Sequence, residues 1–168
     1  MKKAALLVIV LSILLFQSCA TSSSHTCREI LDKIIESEVG LPAGRIYSLT
    51  SSEESDEYLS SSLILALYGG EALSDISSGW IDCAIFLPYS SHPCEFAVFL
   101  CRDSDIATDT ARLLCSRLDK IRVAKDSEQY SAMLRDAAVT VKGNYVFLII
   151  SSDSENAIRQ ASKMMRRY

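Results

Sequence analysis

Residues Val139 to Asp153 read "VTVKGNYVFLIISSD". The stretch predicts two strands, Ala137 to Lys142 and Tyr145 to Ser151, joined at Gly143-Asn144, a pair that supports positive backbone angles in a two-residue hairpin turn. Ser152, Asp153 and Ser154 then open a helix, with Ala157, Ile158, Ala161, Met164 and Met165 on its apolar side. Lys163, Arg166 and Arg167 lie near its carboxyl end, where positive charge complements the helix dipole.

Upstream, the same order occurs once more. "IDCAIFL", Ile81 to Leu87, and "FAVFLC", Phe96 to Cys101, read as strands, with "PYSSHPC", Pro88 to Cys94, as the turn. Asp103-Ser104-Asp105 caps a helix running to about Val123, striped by Ile106, Leu113, Leu114, Leu118 and Ile121, with Ala107, Ala111 and Cys115 beside them. Apolar side chains point both ways along these strands, so both sheet faces need cover. Two hairpin-helix units predict an α+β fold: a four-stranded, mostly antiparallel sheet with the two helices on one face.

An amphipathic N-terminal helix is expected to cover the other face. Thr26-Cys27-Arg28-Glu29 has capping-box spacing, Ile30, Leu31, Ile34 and Ile35 follow at helical intervals, and Gly40 with Pro42 closes the element. "SSEESDEYLSSSL", Ser51 to Leu63, reads as a solvated loop entering a helix over 57–68. Its Glu53, Glu54, Asp56 and Glu57 suggest calcium, but the spacing of a calcium loop and its glycine are missing. A further helical turn is expected around Tyr130 to Leu134.

The start of the chain gives an address. Met1-Lys2-Lys3 is basic, Ala4 to Phe16 is apolar apart from Ser12, and Gln17, Ser18 and Cys19 follow. That is the layout of an export signal, and the oily run is short of the roughly 20 residues of a spanning helix. "LFQSC" resembles the lipobox of bacterial lipoproteins, with Ser18 as the small residue before the cysteine and Phe16 where leucine is usual. The resemblance implies cleavage between Ser18 and Cys19 and a diacylglycerol thioether on Cys19, with acyl chains such as palmitate. Each buried methylene contributes about 0.8 kcal/mol, so two chains hold where one holds marginally. Residues 1–18 are then a signal peptide, 19–25 a tether and 26–168 a single domain. Fully extended, the six residues after Cys19 reach at most about 20 Å.

The 168 residues, 49% of them apolar, suffice for one core. Taking Lys2 and Lys3 from the 17 basic residues leaves 15 against 21 acidic ones, a net charge of −6. Nucleic-acid binding needs a basic face, and so does electrostatic adhesion to anionic lipid, so neither is expected. After Cys19 there remain Cys27, Cys83, Cys94, Cys101 and Cys115, without Cys-x-x-Cys spacing. Cys27, Cys83, Cys101 and Cys115 lie in apolar patterns, where free cysteine behaves as a small hydrophobe.

"EFAVFLCRDSD", "RLLCSRLDKI" and above all "VTVKGNYVFLIISSD" make the second half, Cys94 to Arg159, similar to bacterial lipoproteins carrying the domain of unknown function numbered 4358. That family has no assigned activity. The resemblance implies a membrane-tethered, extracytoplasmic domain of a Gram-positive-type envelope and transfers no catalytic residue.

Chemistry-bearing motifs are sparse. Gly-x-Ser-x-Gly, Ser-x-x-Lys, His-Glu-x-x-His and phosphate-binding glycine loops are all absent from the sequence. His25 falls in the tether, where a solvated imidazole is expected. His92-Pro93-Cys94 offers a thiol near an imidazole, or two metal ligands, against the plainer reading of a polar turn. Cys83 and Cys101 lie on neighbouring strands. An even register sum places them on one face, and a sum of 184 opposes them directly, so that a bridge becomes conceivable. Asp82 and Glu95 supply a carboxylate pair for sugar chemistry if a cleft joins them, whereas Asp103 and Asp105 are explained as helix-cap charges. The expectation is a lipoprotein with no catalytic, cofactor or metal site, bound to the membrane by Cys19. It acts as a binding or interaction module toward an envelope protein or wall polymer. A small envelope hydrolase and a solute-capturing lipoprotein are the alternatives.

Overall fold

The computed structural model describes residues 25–69, 73–125 and 128–165. Ser18 and Cys19, with the signal peptide and most of the tether, lie outside the described residues.

Helix α1, Cys27–Ser37, starts as its spacing predicts. The Glu29 amide donates to Thr26 Oγ1 (3.1 Å), and the Thr26 amide donates to Glu29 Oε2 (3.0 Å). Strand β1 is Gly44–Ser48, and two short helices follow, α2 (Ser61–Tyr68) and α3 (Leu73–Ser77). The first hairpin is β2 (Trp80–Pro88) and β3 (Glu95–Cys101), leading into α4 (Ser104–Ala124). A 3-10 turn at Glu128–Tyr130 and α5 (Ser131–Asp136) connect to the second hairpin, β4 (Ala138–Lys142) and β5 (Tyr145–Ile150). Helix α6 is Ser154–Met165. Gly143 has φ +58° and Asn144 is not in the positive region, as in a hairpin turn led by glycine.

The strands form one antiparallel sheet in the order β1-β2-β3-β5-β4. There are five strands where four were expected. Strand β1 is short, half-buried and carries no strong alternation, so its strand character comes from pairing with β2, Gly44 opposite Pro88 through Ser48 opposite Ala84. A side chain at Gly44 would collide with the Leu87 carbonyl and the Phe86 ring, both 2.5 Å from where its Cβ would stand. The segment expected to be helical from 57 begins its helix only at Ser61. Tyr58 instead bridges to Ser48, and the Ser48 amide donates to the Glu57 carbonyl (2.9 Å).

The sheet separates two cores. On one face Cys83, Ile85, Ala97, Phe99, Cys101, Val146, Leu148 and Ile150 pack under α4, α2 and α5. On the other, Ala84, Phe86, Phe96, Val98, Phe147 and Ile149 pack under α1 and α6. This corrects the expectation of α4 and α6 on a single face. The central strands are apolar on both sides, and α1 alone covers only part of its face. Helix α6 lies beside it and completes the cover with Ala157 and Ala161. At about 25 cal/mol per Å² of apolar area withdrawn from water, both layers contribute substantially to stability.

Candidate functional site

Among the described residues no cleft joins Asp82 and Glu95, and the two carboxylates do not meet. Asp82 stands on the α1 face of β2, and Glu95 on the α4 face of β3, with the sheet between them. Each is buried and each has a structural partner. Asp82 accepts from the Cys27 amide through Oδ2 and from the Cys83 amide through Oδ1, both at 2.7 Å. Cys27 opens α1, so the carboxylate sits at that helix's N-terminus, where its charge is favourable. Glu95 accepts a bidentate fork from Arg117 on α4, with Nη2 2.7 Å from Oε2 and Nε 3.3 Å from Oε1. Burial pushes the Glu95 carboxyl up, and the guanidinium opposes that rise. Nearby, the buried Tyr68 hydroxyl has no hydrogen-bond partner among the described residues.

The His92-Pro93-Cys94 turn does not form a catalytic dyad. His92 Nδ1 accepts from the Cys94 amide (3.1 Å), and the ring packs edge-on against Tyr130. The Cys94 side chain turns the other way, into the core under α1. Burial, helped by Glu38 and Glu95, pushes its thiol up to about 12, the opposite of an activated nucleophile. Partial burial also lowers His92. Cys83 pairs with Phe99, a register sum of 182, and Cys101 pairs with Trp80 beyond a shift in the ladder. The two thiols share a face without being opposed, and both are free.

The acidic loop is bound by arginines. Asp56 Oδ2 lies 3.3 Å from Arg45 Nη1, and Glu57 Oε2 lies 3.0 Å from Arg28 Nη1. These four residues, with Phe86 and Tyr89, line a cleft of about 600 Å³ beside β1. No group of three or more metal-ligating side chains occurs among the described residues. Asp103 caps α4, accepting from the amides of Asp105 (3.1 Å) and Ile106 (2.9 Å) through Oδ1. His25 lies 3.4 Å from Glu29, and its carbonyl accepts from the Tyr145 hydroxyl (3.1 Å), so the chain enters the fold pinned to the sheet.

A larger concavity lies elsewhere. An open, mostly apolar groove of about 920 Å³ follows one side of α4 and reaches Val141 of β4. Ala111, Cys115 and Val123 supply its apolar wall, Arg112 and Asp119 its charges. Cys115 is exposed, which corrects its placement among buried thiols. Val123, 83% exposed, stands among the charged side chains of this outer face. The apolar period of the sequence marks only the buried stripe of this helix. An exposed valine and cysteine on the solvent side were the available signal.

Among the described residues, no helix is long and apolar enough to cross a membrane. Comparison with known protein families, curated proteins and solved structures finds no match to this chain.

Proposed function

We propose that this protein is a lipid-anchored, extracytoplasmic interaction module of the cell envelope, holding its partner on the outer side of α4. The observation that carries the reading is the α4 groove: open, mostly apolar, and lined by neither Asp82, Glu95 nor His92. A hydrolase asks for a cleft on which those groups converge, and a solute-capturing protein asks for a closed cavity between sheet and helix. Instead, Asp82 holds a helix start, Glu95 holds Arg117, and His92 orders its own turn. Val123, exposed beside Cys115 and Ala124, offers a partner an apolar contact on this side of the helix. The lipobox-like leader supports attachment through Cys19, and the acidic balance supports lipid rather than charge as the anchor.

The test places a photo-crosslinking residue at Val123 of the full chain in its native membrane, with an exposed loop position, Ser90, as control. The expected result is one or a few protein adducts from position 123 that are absent from position 90. Equal recovery of lipid and abundant bystanders from both positions would overturn the reading. Mass spectrometry of the purified chain tests the anchor. A bare or differently placed first residue would remove it.

A further inference from the structure

We propose that the partner in the α4 groove is the α4 of a second copy, packed antiparallel about a two-fold axis between Cys115 and Ser116. This rests on reading the groove as an interaction face and names its occupant. Thr108, Arg112, Cys115, Asp119 and Val123 recur at three- and four-residue intervals and form an exposed stripe along the groove. The opposite side of the helix, Thr110, Leu114, Leu118 and Ile121, is already buried against the sheet.

The charges on the stripe select the arrangement. Reversing α4 about the midpoint of Cys115 and Ser116 brings Arg112 beside Asp119 of the partner subunit, and symmetry repeats the contact. A parallel pair would set Arg112 against its own counterpart, a like-charge contact. Within one copy, Arg112 lies 2.6 Å from Asp109, and Asp119 lies 3.3 Å from Arg122. Exposed pairs of that kind are weak, so both side chains are available to a second partner. Ala111, Cys115 and Ser116 are small and allow the helix axes the close approach of about 8–10 Å that packed helices adopt. The same reversal sets Thr108 over Val123 of the partner subunit and withdraws this exposed valine from water. Antiparallel helix dipoles add to the preference. A two-fold pair closes on itself, so the face yields a dimer and not a filament.

The arrangement sets the two Cys115 thiols next to each other beside the axis. The full chain in detergent is examined by sedimentation and by crosslinking with diamide, which takes two protons and two electrons from a pair of thiols to leave a disulfide. The expected result is a dimer whose crosslink disappears in Cys115→Ser. Arg112→Glu or Asp119→Arg alone should weaken dimerisation about tenfold, and the two together should restore it. These surface variants should keep the native circular dichroism, so a folding defect is separable. A monomer at every concentration overturns the dimer, while the crosslinking from Val123 still judges the interaction reading separately. A dimer that ignores both charge reversals overturns the proposed face.

Discussion

Asp82 shows how much a single buried carboxylate can organise. It ties the first amide of α1 to the start of β2, so one side chain caps a helix and anchors it to the sheet. Asp82→Ala should therefore lower stability by about 3 kcal/mol, because two buried amides lose their acceptor. Denaturant unfolding measures this, and a change within 0.5 kcal/mol, the usual range for surface sites, would contradict the role. Asp103 illustrates the exposed counterpart. Hydrogen bonding from the Ile106 amide, then from Arg102, holds its carboxyl below the usual value near 3.9. A depressed carboxylate stabilises the fold above its unfolded pKa, and the contribution is lost as pH falls through the folded value. In Asp103→Asn that acid-dependent part should vanish. The stability gap between the two proteins should shrink as acid is added below about pH 4. A gap that widens there would refute the assignment. Both aspartates were visible in the sequence, but only as charges: the helix cap was legible from its local spacing, whereas the partner of Asp82 is 55 positions away.

At the level of elements, α4 is defined by two faces with different tasks. Its inner stripe follows the 3.6-residue period and was readable directly. Its polar tie to the sheet was not, because Glu95 and Arg117 stand 22 positions apart, with the rest of β3 and the first half of α4 between them. Arg117→Met should cost about 3–5 kcal/mol by leaving a buried carboxylate unpaired, whereas the double variant Glu95→Leu/Arg117→Met should recover most of that loss. Thermal unfolding of the set decides it: a double variant as unstable as the single one would show that the ion pair itself sustains the packing. Strand β1 is the opposite case. Its five residues carry too little periodicity to announce a strand, and an unpaired edge of β2 recruits them. The acidic loop before α2 reads like a metal loop in one dimension. In space, Arg28 and Arg45 take its carboxylates.

Over the whole molecule, the two apolar cores account for the cysteines. Cys27, Cys83, Cys94 and Cys101 are buried and free, and burial pushes each of these thiols up. Cys115 is the exposed one among the described residues. Brief alkylation of the folded protein, diluted to the monomer, should therefore label Cys115 and spare the other four until the chain is unfolded. Peptide mass spectrometry would report this, and prompt labelling of Cys94 would contradict its burial. The hairpins, the α1 capping box and the long amphipathic helix were set by the sequence itself, since turn chemistry, caps and apolar period act over a few neighbouring residues. Tertiary structure decided the fifth strand, the placement of α6 opposite α4, the separation of Asp82 from Glu95 and the groove beside Val141. Those outcomes depend on which surfaces remain unburied once the elements meet, and no short-range pattern carries that information.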